Sequence, residues 1–88
     1  MNILTNNEPQ AYALDFTDDE MIVHLKDGRA LQIPLIWYPS LEQATETERK
    51  HFDIIGDGEG FHWPDIDEDL SVRGFLAGIR LDQKPHAA

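Results

Sequence analysis

Three aspartates recur at every second residue near the middle of the second half of the chain, a spacing that can bring oxygen ligands around a cation. Asp65, Asp67 and Asp69 match the opening of an EF-hand calcium loop, whose carboxylates alternate along the chain. The rest of that loop is missing, because Leu70 stands where a glycine is required and Leu76 where a bidentate glutamate belongs. We therefore expect an acidic segment that leads into a helix, where its charge favours the helix dipole, rather than a calcium site.

Other reactive residue types form no catalytic pattern. The chain has no cysteine, its four histidines lack the spacing of a zinc helix, and no phosphate-binding glycine loop is present. Ser40 and Ser71 are better explained as helix caps than as nucleophiles. One weaker alternative is a divalent-metal or small-ligand site built from His62, Asp65 and Asp67. We expect no enzymatic activity and no cofactor.

Charge is the strongest signal in the composition. Seventeen Asp and Glu against seven Lys and Arg give a formal net charge of −10, which repels the phosphates of nucleic acids. Between Lys50 and Arg73 there is no Lys or Arg. The carboxylates of this stretch are Asp53, Asp57, Glu59, Asp65, Asp67, Glu68 and Asp69. Such a stretch indicates either a solvated face that aids solubility or a docking surface for a basic protein, without direct binding to nucleic acid.

Length and hydropathy limit the class of protein. Eighty-eight residues predict a single domain over residues 1–88, with an ordered core at about 10–81 and a flexible tail at 82–88. No apolar run approaches the roughly 20 residues of a membrane span, and the first residues lack the cationic and apolar regions of an export signal. Together with the lack of cysteine, this predicts a cytoplasmic protein with no membrane association.

Alternating apolar residues predict strands in the first part of the chain. Residues 10–17 form one such strand. Its inward face carries Tyr12, Leu14 and Phe16. Residues 21–25 and 29–34 flank a short loop that ends in glycine, which predicts a hairpin with Val23 opposite Leu31.

The connection after this hairpin is rich in proline. Pro34 and Pro39 bracket an apolar segment that contains Trp37 and that proline geometry keeps out of a helix interior. Ser40 and Thr45 each precede Gln or Glu by three residues, the spacing of a capping box. We expect two short helical turns.

The remaining elements are a second hairpin and a helix. Asp57-Gly58 between residues 52–56 and 59–63 predicts a two-residue turn that sets Asp53 opposite His62. Ser71 caps a final helix whose apolar residues are Val72, Phe75, Leu76 and Ile79. The sequence thus predicts an α+β fold, with two or three short helices packed on one antiparallel sheet of about five short strands, two hairpins plus a leading strand.

The stretch from Gly58 to Gly78 resembles the signature of the bacterial domain of unknown function 2442 family. Its most specific parts are residues 62–64, His-Trp-Pro, and 67–69, Asp-Glu-Asp. Residues 38–41, Tyr-Pro-Ser-Leu, resemble the family's helical segment and extend the likeness to about residues 10–81. The resemblance implies an antiparallel sheet covered by short helices. It also implies gene pairs that resemble toxin–antitoxin modules, and it supplies no catalytic residues.

Three functional hypotheses follow. The leading one is a non-enzymatic protein-interaction module, antitoxin-like in a bacterial gene pair, that binds a basic protein. Trp63 or Trp37 would be the aromatic anchor, unless both are simply core residues. Electrostatic steering would come from Asp65, Asp67, Glu68 and Asp69. The alternatives are the metal or small-ligand site described above and a homodimeric regulatory or scaffold domain joined through an exposed strand edge or the face that carries Gly74 and Gly78.

Overall fold

The structure is a computed structural model that describes residues 8–82. These residues form six strands, three short α-helices and one 3-10 turn at Leu35–Trp37. The strands are β1 (Ala11–Phe16), β2 (Glu20–Leu25), β3 (Ala30–Pro34), β4 (Asp53–Ile55), β5 (Gly60–Trp63) and β6 (Glu68–Ser71). The helices are α1 (Pro39–Glu42), α2 (Glu46–Lys50) and α3 (Val72–Leu76). The expectation about an export signal at the start of the chain, and that of a flexible tail beyond Asp82, lie outside the described residues.

The α+β class is confirmed, but the prediction of one sheet of about five strands needs correction. Within residues 8–82 the strands form two antiparallel sheets, sheet 1 with order β1-β2-β3 and sheet 2 with order β4-β5-β6. The strand that the sequence analysis missed is β6, because Asp and Glu are depleted in strands and the segment suggested a helix lead-in. In the structure Leu70 of β6 pairs with Phe61 of β5, and this pairing buries Leu70.

The predicted register of the first hairpin is confirmed. Val23 of β2 lies opposite Leu31 of β3, and Met21 lies opposite Ile33. The amide of Leu25 donates to a carbonyl at the far side of the loop, that of Arg29, at 2.8 Å. The side chains that β2 turns inward are therefore apolar, as the alternation required.

The inward face of β1 differs from the prediction. A bulge between Ala11 and Ala13 shifts the register against β2. Because a bulge inserts one residue and reverses the alternation beyond it, Ala11 is buried and Tyr12 is turned outward with 59% of its surface exposed. Leu14 and Phe16, on the other side of the bulge, keep their predicted face.

Two of the three predicted helix caps are confirmed. Thr45 forms a capping box with Glu48 at the start of α2, and the Ser71 hydroxyl accepts from the Gly74 amide at the start of α3. Ser40 does not cap a helix, because Pro39 begins α1 after Tyr38 and places Ser40 within the first turn. Its hydroxyl donates instead to Glu68 Oε2 at 2.6 Å.

The final helix is shorter than its apolar spacing predicted. Helix α3 ends at Leu76, and Gly78 follows with a φ of 74°. Helices commonly end at a residue in this left-handed conformation, which glycine adopts without steric cost. Ile79 consequently lies beyond the helix and is 55% exposed. Its carbonyl accepts a hydrogen bond of 2.5 Å from the Tyr38 hydroxyl, which fastens the segment after α3 to the domain.

The second hairpin has the predicted register but a different turn. Asp53 lies opposite His62 and Ile54 opposite Phe61. The positive φ values fall at Gly56 and Gly58 rather than at two adjacent central residues, and the amides of Gly58 and Glu59 both donate to the Ile55 carbonyl. The loop therefore has four residues, 56–59, and still preserves the register because it adds one residue to each side of the predicted two-residue turn.

The two sheets share one hydrophobic core. The buried residues come from both sheets and from the helices, and they form one cluster. Its largest fully buried side chains are Trp63, Tyr38, Phe61, Met21, Leu25, Leu35, Leu41, Val23 and Val72. The Ala11 amide donates to the Gly58 carbonyl at 2.8 Å, which joins β1 to the tip of the second hairpin. Across residues 8–82, no helix is long and apolar enough to cross a membrane.

Candidate functional site

The acidic residues singled out by the sequence lie on sheet 2 and on the turn that joins its last two strands. Asp53 is on β4, Glu68 and Asp69 are on β6, and Asp65 and Asp67 lie in the turn between β5 and β6. Asp67 has a φ of 52°, a left-handed conformation that aspartate adopts more readily than most residues and that reverses the chain into β6. The turn thus places carboxylates at the end of the sheet.

One face of sheet 2 points away from the core. Phe61 and Trp63 are fully buried, so the alternate residues of β5, Gly60 and His62, lie on the opposite face. Residues paired across an antiparallel sheet share a face. The outer face of sheet 2 therefore comprises Asp53 and Ile55 from β4, Gly60 and His62 from β5, and Asp69 and Ser71 from β6.

These six residues form two rows across the strands. The first row is Asp53, His62 and Asp69, in which a histidine lies between two carboxylates. His62 Nδ1 lies 2.5 Å from Asp69 Oδ1, so the imidazole holds one oxygen of Asp69 while the Asp69 side chain stays 68% exposed. The sequence predicted Asp53 as the neighbour of His62, and the contact to Asp69 required the unpredicted strand β6.

The second row, Ile55, Gly60 and Ser71, contains a depression. Ile55 is 42% exposed, and Gly60 between it and Ser71 has no side chain. The depression has a volume of about 270 Å³. It is lined by Ile55, Glu59, Gly60, Asp69, Leu70 and Ser71. We call it the Gly60 depression.

The glycine is required there by the backbone of the next strand. A Cβ atom at Gly60 would lie 2.6 Å from the Leu70 carbonyl oxygen, closer than any real contact allows. The sequence signal for this feature is a glycine within a strand, which often marks a close backbone approach. Combined with the exposed Ile55, it gives sheet 2 an apolar hollow beside a carboxylate.

A second histidine–carboxylate pair lies beside the turn. His51 Nδ1 is 2.8 Å from Asp65 Oδ2, and both side chains are partly exposed. The hydrogen bond and the charge of Asp65, with a smaller contribution from Asp53, raise the pKa of His51 above its ordinary value. Asp65 therefore anchors the turn to the residue that follows α2.

The alternative metal set is not brought together. His62 is held by Asp69 and Asp65 by His51, so two of the three predicted ligands point to different partners. Among residues 8–82, no group of three His, Cys, Asp or Glu side chains is arranged to hold a metal ion. His62, Asp65 and Asp67 do not constitute one site.

The two tryptophans predicted as surface anchors are both packed against the core. Trp63 is fully buried, and its Nε1 donates to the Arg49 carbonyl at 2.9 Å, so it is a core residue and not a surface anchor. Trp37 is partly buried against the core, with the Arg80 guanidinium 4.8 Å from its ring centroid. The carboxylate of Glu68 already has a hydrogen-bond partner within the chain, because its Oε2 accepts from the Ser40 hydroxyl.

Arg49 has a structural role that sequence analysis did not assign. Its Nε donates to the Leu41 carbonyl at 2.8 Å and its Nη2 to the Glu42 carbonyl at 2.7 Å. Its own carbonyl accepts from Trp63. Arg49 thus links α1, α2 and β5, and no spacing in the sequence signals contacts made by backbone carbonyls.

Comparison with known proteins places this architecture. Residues 11–80 match the family described as Protein of unknown function (DUF2442). The chain belongs to the DUF2442 family. The matched residues include both sheets and the outer face of sheet 2, and the match confirms the resemblance carried by residues 58–78.

Two solved structures are similar to this DUF2442 member. A crystal structure of a protein of unknown function from Rhodospirillum rubrum superposes with a TM-score of 0.73 at 35% identity, over 85% of this chain and 93% of that one. A solution NMR structure of an uncharacterized protein from Chromobacterium violaceum has a TM-score of 0.70 at 20% identity, over 82% of this chain and 68% of that one. The latter likeness concerns the fold alone. No curated protein matches the chain.

Proposed function

We propose that this DUF2442 protein is a non-enzymatic interaction module that binds a basic protein through the outer face of sheet 2 and the adjoining turn. The observation that carries the proposal is the placement of Asp53 and Asp69 on sheet 2 and of Asp65 and Asp67 on the adjoining turn, in a stretch without Lys or Arg. Carboxylates on one surface steer a positively charged partner and accelerate its association. The same field repels nucleic acid.

A basic side chain from sheet 1, that of Lys26, reaches the tip of the second hairpin. Lys26 Nζ donates to the Asp57 carbonyl at 2.9 Å, at the tip of the second hairpin. Arg73, next in sequence after the acidic stretch, forms an ion pair with Glu8. The carboxylates of the turn and of β6 lie away from that tip, at the other end of sheet 2. A partner's positive charges are therefore expected to concentrate there.

The first test identifies the partner in the native host. The tagged chain is purified at low and at moderate salt, and the co-purifying proteins are identified by mass spectrometry. A stoichiometric basic protein that dissociates as salt rises supports the proposal, because salt screens interactions between exposed charges. Recovery of this chain alone contradicts it and favours the homodimeric regulatory or scaffold alternative, which sedimentation at several concentrations would then examine.

The second test locates the contact by comparing two variants, each of which replaces three carboxylates by neutral amides of the same size. The site variant combines Asp65→Asn, Asp67→Asn and Asp69→Asn, which keep side-chain size and preserve the Glu68 bond to Ser40. The control variant combines Asp18→Asn, Asp19→Asn and Glu42→Gln, three exposed residues outside sheet 2. We expect the site variant to slow association by about tenfold and to flatten its salt dependence. Equal effects of both variants would show that net charge alone matters, and would reject the surface.

A narrower form of the proposal is an antitoxin-like role in a bacterial gene pair. Its support is confined to the gene arrangements that the family resemblance implies. Expression of the neighbouring gene alone should arrest growth, and co-expression of this chain should restore it. Normal growth with the neighbour alone would reject the antitoxin role without affecting the interaction module.

A further inference from the structure

We propose that the Gly60 depression receives the side chain of one lysine or arginine from an extended segment of the partner. This inference deepens the proposed function and rests on it. Ile55 supplies an apolar wall, the backbone of Gly60 supplies a floor without a side chain, and Asp69 supplies a carboxylate at the edge. Lysine and arginine match this combination because they lay an apolar stem along a surface and keep the charged group in water.

The distance between the two rows fits such a side chain. Gly60 and His62 are separated by two positions along β5, about 6.6 Å at the usual rise of a strand. Asp69 lies beside His62 in the neighbouring row. A stem that begins over Gly60 therefore reaches the carboxylate with its cationic end, whereas a shorter side chain would stop over the apolar floor.

The carboxylate is held in place before a ligand arrives. His62 Nδ1 lies 2.5 Å from Asp69 Oδ1, which fixes the side chain, while 68% of the Asp69 side chain remains exposed to a ligand. The Ser71 hydroxyl caps helix α3, since it accepts a hydrogen bond from the Gly74 amide. Asp69, Asp53 on the same row and Glu59 at the rim are then the charged groups that favour a cation over an anion.

A similar hollow elsewhere provides an internal control. A depression of about 350 Å³ includes the exposed Ile36, and it also has an apolar wall with carboxylates at its rim. Its lining residues are Asp18, Asp19, Glu20, Pro34, Leu35, Ile36 and Glu42. It lies outside sheet 2, so a ligand that responds only to general charge and apolar surface would enter both hollows.

The test uses the peptide acetyl-Gly-Val-Lys-Val-Gly-amide as the probe. The full chain, labelled at backbone amides and isoleucine methyl groups, is titrated to millimolar peptide while its NMR spectrum is followed. We expect saturating shifts at the Ile55 methyl and at the Gly60 and Asp69 amides. Ile55→Ala and Asp69→Asn should each weaken binding by about threefold or more, and Ile36→Ala should leave it unchanged.

Matched peptides test the role of charge. Replacing the probe lysine by norleucine removes the ammonium group and keeps all four carbons of the stem, and we expect binding to weaken at least about tenfold. Replacing it by glutamate should abolish the shifts. Movement of the Ile36 methyl instead of Ile55, equal binding of the norleucine peptide, or small non-saturating shifts at every carboxylate would each overturn the proposal. A dispersed amide spectrum confirms that each variant is folded.

Binding measurements with the native partner distinguish a failure of the proposed pocket from a failure of the proposed function. Ile55→Ala changes no charge, so its effect on the partner's dissociation reports on the depression alone. If the triple aspartate variant slows association while Ile55→Ala changes nothing, the interaction module stands and the pocket is rejected. If neither variant affects binding, both proposals fail.

Discussion

The indole nitrogen of Trp63 donates a hydrogen bond to the backbone carbonyl of Arg49 at 2.9 Å. This contact fastens the middle strand of sheet 2 to the end of α2, and the indole ring packs within about 6 Å of Phe52 and Phe61. A side chain so enclosed cannot also bind a partner. Trp63 therefore holds sheet 2 in place, and the proposed function assigns recognition to exposed residues on the other face of that sheet.

Substitution of Trp63 should reduce stability more than substitution of Trp37. Trp63→Phe removes the hydrogen bond to Arg49 and leaves unfilled volume in the core, so the free energy of unfolding should fall by about 1–3 kcal/mol. Trp37→Phe keeps a ring at a partly buried position and should cost less than about 1 kcal/mol. Urea denaturation of both variants provides the measurement. Equal losses would contradict the core assignment of Trp63.

The hydroxyl of Tyr38 fastens the segment after α3. Burial is the main cause that raises the pKa of Tyr38, with the charges of Glu68 and Asp82 adding to it, so the phenol stays protonated and donates to Ile79. Tyr38→Phe should lower the free energy of unfolding by about 1 kcal/mol. Amide hydrogen exchange of residues 79–81 should also become faster. Unchanged exchange there would contradict the fastening role.

Gly58 permits the close approach of the two sheets. A Cβ at Gly58 would collide with the Ala11 carbonyl, whereas a Cβ at Gly28 meets nothing within 4 Å, although both glycines have a φ near 100°. Gly28→Ala should therefore lower the free energy of unfolding only through backbone strain, by about 1 kcal/mol. Gly58→Ala should cost about 2 kcal/mol more, because the hairpin must move away from β1. Similar melting temperatures for the two variants would contradict this contact.

The turn before β6 depends on the conformation of Asp67. At a φ of 52°, glycine and asparagine are accommodated, but a β-branched residue is strained. Asp67→Val should lower the free energy of unfolding by about 1–2 kcal/mol relative to Asp67→Gly. Denaturation curves of the two variants measure the difference. A valine variant as stable as the glycine variant would show that the turn does not need this conformation.

The pair of His51 and Asp65 should make part of the stability depend on pH. Because the pKa of His51 is raised in the folded chain, the pair's contribution is complete below the unfolded pKa of about 6.5 and is lost as the pH rises through the folded pKa. Titration of the His51 ring signals by NMR should give a folded pKa above that value. In Asp65→Asn the pKa should fall toward it. An unchanged pKa in that variant would show that Asp65 is not the cause.

Local patterns determined much of this fold from the sequence alone. The register of both hairpins followed from the alternation of apolar residues about the centre of each turn, since a shift by one residue would move every apolar side chain to the wrong face. The caps at Thr45 and Ser71 followed from residue type and spacing, because they involve neighbours three positions apart. The acidic character of the candidate site also followed from the sequence, because residues 51–72 contain no Lys or Arg.

Contacts between distant segments decided the rest. The pairing of β6 with β5 overrode a composition unfavourable to strands, because it buries Leu70 and completes the neighbour row of His62. The β1 bulge, the bond from Ser40 to Glu68 and the burial of Trp63 each depend on groups far apart in sequence. Periodicity reports which face of an element is apolar, but only packing determines what covers it. The tertiary structure thus moved the candidate site from the tryptophans to the outer face of sheet 2.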